Sequence, residues 1–449
     1  MNYIETEGVK MKKILISLVL VVVLVCSFVL PAFAASFDYT ADELNKLGLF
    51  RGDSTGYNLG RAPTRAEAVT MLIRLLGLEE EAKNGDHTHP FTDVPAWASP
   101  YVALAYELGY TTGTSQALFS PGRKCTAQMY VTYILRALGF SEADGDFTYA
   151  GAIEFGKKIG VVDDLLLEGD FLRGQMTAVS YLALVVPPKG GEYNMLLEKL
   201  INSEAVTAEA AAATLERFAL LKELADISSG LKDVTSYAMT ATADIKSTYK
   251  DQPLDMSMLM DIKLIMADSG VTAEMTSKTT MAEVIVSSYE TYVAEGYVYK
   301  NDGKSKTKTP LGVAGFEMPG LNNIASLGLN PLYAFSSITK STEKENAVYT
   351  IAVNDGFLDP AMTLVAAIMG NTSFGGVSGI SMNNVVIKIY ADSAGMFTKM
   401  LMTCDISAQI GTTPISGGMT ANLEITAIGD DVKITLPGDL SEYVINAAG

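Results

Sequence analysis

The spacing of apolar residues changes character along the chain. Ile14–Val29 is an unbroken apolar run. Between about Ala41 and Val186 apolar positions recur every three to four residues, in short stretches punctuated by glycine. Examples are Val69, Leu72, Ile73 and Leu76, and again Val131, Ile134, Leu135 and Leu138. That is the period of helices with one buried face. A denser helical stretch runs from about Gly190 to Leu231, with "NMLLEKL" and "TAEAAAATLERFALLKELADI". From about Lys232 onward residues alternate with period two and are rich in Met, Val, Ile, Thr and Tyr. The switch predicts strands and a domain boundary.

In "LDMSMLMDIKLIM", Met258, Met260, Ile262, Leu264 and Met266 share one face, with Ser257, Asp261 and Lys263 on the other. Similar alternation recurs in "SYAMTATADIKSTY", "SSYETYVAEGYVYKN", "NNVVIKIYAD", "FTKMLMTCDISAQI", "MTANLEITAI" and "DVKITLP". Turns such as Asp302-Gly303 and Gly429-Asp430 separate these runs, which predicts a large antiparallel sheet with one buried face. One helix is expected inside it: Asp359 as cap, Pro360 at the first position, closed by Gly370. The predicted class is α+β.

Composition narrows the picture. The 449 residues suffice for two or three domains. Asp and Glu outnumber Lys and Arg 51 to 33, giving a formal charge of −18, which argues against general nucleic-acid binding. Lys12-Lys13, the apolar run and Pro31-Ala32-Phe33-Ala34-Ala35 read as a secretory signal peptide over 1–35, cut after Ala34 or Ala35. Met11 is a better start than Met1, because "MKKILISLVL" already completes such a signal. Lipidation at Cys26 is the alternative, disfavoured by Val25 before it. Only Cys125 and Cys404 remain, so neither a disulfide framework nor a metal-ligand spacing is expected. The expectation is an exported protein without a further transmembrane span, of the sparse-cysteine kind found on Gram-positive-type cell surfaces.

Internal repeats organise the helical zone. "LIRLLGL" (Leu72–Leu78) recurs as "ILRALGF" (Ile134–Phe140) 62 residues later. A third, weaker copy reads "YAGAIEFGKKIGVV", then "FLRGQMTAVSYLALV". "FTDVPAWASPYVALAYELGYTTGT", the following "LFSP", and "APTRAEAVTMLIRLLGL" resemble the S-layer homology repeat. The copies would cover 41–80, 88–141 and 145–186, followed by a helical linker over 190–231 and a β-rich domain over 232–449. The resemblance implies a pseudo-three-fold helical arrangement that docks secreted proteins on cell-wall polysaccharide, often a pyruvylated polymer. It also implies that the arginine of the Thr-Arg-Ala-Glu motif contacts the anionic sugar substituent. That motif is complete only at Thr64, Arg65, Ala66 and Glu67. The second copy has Thr126, Ala127, Gln128 and Met129, and the third has Leu172, Arg173, Gly174 and Gln175. The Asp-Val…Trp element is complete only at Asp93, Val94 and Trp97.

Thr64 and Glu67 are explained as a capping box, each satisfying an amide at the helix start. Arg65 is not, because a cation at the first helical position meets the positive end of the dipole. Either it is a solvated side chain, or it joins the free amides in binding an anion; its surviving counterpart is Arg173. Trp97 is either a sugar-stacking ring or a core anchor. Asp93 accepts a sugar hydroxyl or fixes the turn before Pro95. His87 and His89 read as a solvated loop rather than a metal site.

The β-rich zone weakly resembles the lipoprotein-carrier (LolA-like) half-barrel, carried by phrases such as "SYETYVAEGYVYKNDGKSKTK". That resemblance implies a concave face for acyl chains, with Met258, Met260, Ile262 and Met266 as candidate lining for a hydrophobic ligand. Methionines at strand spacing are more often plain core than a ligand face. No histidine falls after His89, so His-based catalysis is unavailable there. A pair of carboxylates would suffice for a glycosidase, but no Trp platform accompanies one. "GNTSFGGVSG" lacks the ending of a phosphate loop. The leading reading is a non-catalytic protein anchored to anionic wall polysaccharide, without a cofactor or metal. A localised carrier of hydrophobic ligands is the alternative, and a wall-active hydrolase a third reading.

Overall fold

The computed structural model describes residues 37–231, 233–249, 252–267, 270–311, 330–354, 377–410 and 412–445. The expected signal peptide, Cys26 and the helix opened by Asp359 and Pro360 lie outside them. The chain divides into two compact units, one ending at Ala219 and the other beginning at Leu220. No helix among the described residues is long and apolar enough to cross a membrane.

The first unit is helical. It contains α1 (Asp38–Lys46), α2 (Arg65–Leu75), α3 (Glu79–Asn84), α4 (Ser99–Glu107), α5 (Ala127–Ala137), α6 (Ala152–Ile159), α7 (Arg173–Ala183) and α8 (Leu196–Asn202). The expected apolar stripes are inside: Val69, Leu72, Ile73, Val131, Ile134 and Leu135 are all buried. Two pairs of hydroxyls meet inside this core. Thr40 and Thr177 hydroxyls meet at 3.0 Å, and Tyr130 meets Ser180 at 2.7 Å. Unpaired, each would cost about 1–3 kcal/mol.

Repetition is visible in the backbone. The amides of Arg65 and Ala66 donate to the carbonyls of Arg123 and Pro121, at 2.8 and 3.1 Å. The amides of Arg173 and Gly174 donate in the same way to Arg61 and Leu59, at 2.9 and 3.0 Å. Each accepting loop contains one left-handed residue, Ser120 (φ 59°) in the first case and Asn58 (φ 56°) in the second. The start of one repeat's helix is thus clamped by the loop of another repeat.

The segment expected as a linker is helical but packs into this unit before the division. Leu196 and Leu197 amides donate to Val186 and Leu184, and Phe218 packs edge-on against Tyr181 at 5.6 Å. These contacts belong to α8 and the first half of α9 (Ala208–Gly230). Leu220, Leu221, Leu224 and Ile227, on the remainder of α9, are buried in the second unit.

The second unit is one curved, unclosed sheet of twelve strands. Its strands are β1 (Ser236–Tyr249), β2 (Gln252–Ala267), β3 (Gly270–Met281), β4 (Val284–Ala294), β5 (Tyr297–Asn301) and β6 (Lys306–Pro310). They continue with β7 (Phe335–Glu343), β8 (Asn346–Val353), β9 (Val377–Ala391), β10 (Phe397–Ile410), β11 (Thr413–Ile428) and β12 (Val444–Ile445). A short helix, α10 (Pro331–Ala334), precedes β7. The spatial order is β12-β6-β5-β4-β3-β2-β1-β11-β10-β9-β8-β7. All neighbours are antiparallel except β12 on β6. β1 through β6 pair in succession, as do β7 through β11, and β1 joins β11 from Tyr237↔Ile428 to Tyr249↔Ile415.

Alternation places Met258, Ile262 and Leu264 of β2 on the buried face, as expected, together with Met256. Met260 is half-buried. Met266, next to the end of β2, is exposed.

Candidate functional site

Thr64 stands just before α2 with extended backbone (φ −82°, ψ 162°). Its hydroxyl accepts from the Glu67 amide at 3.3 Å, and Glu67 Oε2 accepts from the Thr64 amide at 2.8 Å. The reciprocal cap is therefore formed, and it accounts for both residues as helix-start signals.

Arg65 has a structural explanation that its position in the sequence hides. It is 5% exposed, not solvated. The first-turn amides expected to be free for an anion are already taken by the loop carbonyls of Arg123 and Pro121. Its guanidinium donates from Nε to the Phe119 carbonyl at 2.9 Å and from Nη2 to the Thr112 carbonyl at 3.0 Å. It also lies over the Phe119 ring, 4.6 Å from the centroid. Two carbonyl dipoles and a π face thus offset its unfavourable place on the helix dipole.

Asp93 holds the loop that supplies one of those carbonyls. Its carboxylate accepts the amides of Phe119 and Ser120, each at 2.8 Å. Partial desolvation opposes ionisation, yet these amides and the nearby Arg65 charge keep its pKa below the ordinary carboxylate value. Asp93 thus positions this loop. Trp97 is 55% exposed, which rules out a core anchor. It does not line the cavity described next.

Beside Arg65 is a cavity of about 180 Å³, lined by Arg65, Arg123, Arg136, Thr112, Gly113 and Thr114 together with Met129, Thr132, Tyr133 and Tyr149. No carboxylate is among these lining residues. Arg136 is balanced by Glu142, with Nε–Oε2 at 3.1 Å. The buried Tyr133 hydroxyl lies beside Thr111 and has no hydrogen-bond partner of good geometry. Arginine forks, hydroxyls and an under-used phenol without a local carboxylate form an anion-binding chemistry.

Arg173 sits in the equivalent place but in different company. It is buried, and its Nε donates to the Tyr57 carbonyl at 3.0 Å, as Arg65 does to Phe119. Glu67 Oε1 lies 3.9 Å from its Nη1, and Asp53 adds a second negative charge nearby. Glu67 also takes a forked contact from Arg61, with Nη1–Oε2 at 2.9 Å. Burial alone would raise the Glu67 pKa. The Arg61 and Thr64 hydrogen bonds and the charges of Arg61 and Arg173 outweigh it and hold the carboxyl at about 2.

His87 Nδ1 contacts Glu107 at 2.7 Å and His89 Nε2 contacts Ser99 at 3.0 Å. No group of three potential metal ligands occurs among the described residues. Sequence reasoning missed Arg123, Met129, Tyr133 and Arg136. The 62-residue repeat held the signal, because it aligns Arg123 with Arg61 and Met129 with Glu67.

The family model described as S-layer homology domain matches residues 90–126. Over 161 residues the chain is 32% identical to a "Cell surface protein" of Thermoanaerobacter kivui, covering 34% of this chain and 21% of that protein. Over 107 residues it is 31% identical to an "Endoglucanase" of Bacillus sp. (strain KSM-635), covering 24% of this chain and 11% of that one. The chain thus spans about a fifth or less of the length of these relatives. Among solved structures, LprF from Mycobacterium bovis is matched at 12% identity and a TM-score of 0.26, over 48% of this chain and 95% of that one. The matched domain covers the Asp93–Trp97 element, the Thr112–Thr114 turn and the loop that clamps Arg65. The chain is a cell-surface protein that carries an S-layer homology domain.

Proposed function

We propose that the protein is held on the cell surface by an anionic wall polysaccharide bound in the cavity at Arg65, and that its β-rich unit is a non-catalytic display domain. The observation that carries this reading is the cavity's composition: guanidinium groups and hydroxyls with no carboxylate among the lining residues. In a chain of formal charge −18, a pocket of that sign stands against the general field and selects anions locally. Arg65 is pre-organised by its two carbonyl acceptors and keeps N–H groups for a ligand, while Arg123 approaches from the opposing loop. Tyr149 is 48% exposed at the cavity, where a sugar ring could rest on it.

Co-sedimentation of the full chain with purified cell walls tests the reading. Walls with their anionic polymer intact are expected to carry the protein down. Walls stripped of that polymer by acid are expected to leave it in solution. Equal sedimentation on both would contradict the proposal.

A further inference from the structure

We propose that the Arg173 site is closed to external anions by the chain's own Glu67 and Asp53, so that the three repeats provide one open anion site. The inference rests on reading the Arg65 cavity as an anion site. It follows from comparing equivalent positions.

Arg65 and Arg173 make the same backbone and Nε contacts, so their guanidiniums are presented alike. The residues around them differ in charge. Next to Arg65 the opposing loop supplies Arg123, and the opposing helix supplies Met129, whose Sδ lies 3.8 Å from Arg65 Nη1. Next to Arg173 the loop supplies Arg61 and the helix supplies Glu67. The turn of Gly113 and Thr114 is matched by Gly52 and Asp53, each four residues after a left-handed glycine, Gly109 and Gly48. One site therefore sets Arg65 and Arg123, beside the Glu142-paired Arg136, against a threonine and a methionine. The other holds two arginines against two carboxylates.

An anion reaching Arg173 would have to displace Glu67, which Arg61 grips with both guanidinium nitrogens while the Thr64 amide binds the same carboxylate. Such charge-assisted, partly buried pairs are costly to break. The third equivalent position has Ala127 in place of the arginine and Gln175 in place of the glutamate, so it lacks the clamped guanidinium on which the other two are built. Methionine and glutamate are similar in length, so it is charge that separates the first two sites.

The test is NMR of the arginine Nε–Hε groups in the full chain, titrated with sodium acetate as a carboxylate probe. Arg65→Lys and Arg173→Lys assign the two signals. In the native chain the Arg65 signal is expected to shift with acetate and the Arg173 signal to stay still. In Glu67→Gln/Asp53→Asn both are expected to shift. Glutamine still accepts the Thr64 amide, and asparagine still serves the turn to Thr55. Glu67→Met/Asp53→Thr, which copies the Arg65 site, is the second variant; Thr126 caps α5 without a glutamate partner. An Arg173 signal that moves in the native chain, or one that stays still in both variants, overturns the proposal. A silent Arg65 signal in the native chain overturns the reading of its cavity instead, and the gain at Arg173 is still scored.

Discussion

Arg65 donates to the main-chain carbonyl of Phe119, 54 residues away, and so ties the start of one repeat's helix to the loop of the next. The bond is part of a buried set that includes the Thr112 carbonyl and the Phe119 ring. Arg65→Ala is expected to lower stability by about 2–3 kcal/mol, because two carbonyls lose a charged donor. Urea unfolding of the first unit measures it. An unchanged midpoint would mean that the carbonyls find other partners at no cost.

Asp93 acts one step behind. Asp93→Asn leaves one carbonyl oxygen and an amide where two anionic oxygens received the amides of Phe119 and Ser120. A loss of about 1–2 kcal/mol is expected, with faster hydrogen exchange at those two amides. Protection as in the native chain would contradict its role as the loop's anchor.

Acid should loosen the first unit through Glu67. Its folded pKa lies at about 2, below the ordinary 4.5, so the stabilisation is complete above the unfolded value and is lost as pH falls from about 5 toward 2. Glu79, held at about 2 by Tyr101, Lys83 and Arg74 against its own desolvation, adds a contribution of the same sign. After discounting for solvent screening, Glu67 alone accounts for about 1–2 kcal/mol. Glu67→Gln should therefore flatten the fall of the unfolding midpoint between pH 5 and 2. A variant as acid-sensitive as the native chain would remove Glu67 from this account.

The buried Cys125 thiol is pushed up to about 12 by desolvation, against the nearby Arg65 charge. Alkylation at pH 8 should reach it only after unfolding. Labelling in the folded chain at the rate of a free thiol would show that the α5 start opens.

Local signals in the sequence were enough for some of this. The capping box at Thr64 and Glu67 follows from residues three apart, and β1 runs over Ser236–Tyr249, a stretch whose alternation reads as a strand. What local pattern could not supply was the partner across the fold. Arg65 looks misplaced on its helix because its acceptors, Phe119 and Thr112, come from another repeat. Trp97 carries no periodicity that would separate an exposed ring from a buried one. The order of the sheet depends on β1 pairing with β11, a contact between distant segments that alternation does not encode. The charge difference between the two arginine sites was present in the repeat alignment, at Glu67 and Met129. Only the shared backbone clamp shows that those positions face equivalent arginines.

Arg123 gives the sharpest test of the central claim, because it lines the cavity yet is exposed and holds no side-chain bond among those found in the described residues. Arg123→Glu should leave the urea midpoint within about 0.5 kcal/mol of the native chain. Its affinity for purified cell walls, measured by co-sedimentation, should fall by about tenfold or more, since a charge-assisted contact worth about 1.5–3 kcal/mol is replaced by repulsion. Undiminished wall binding by a stably folded Arg123→Glu chain would contradict the account.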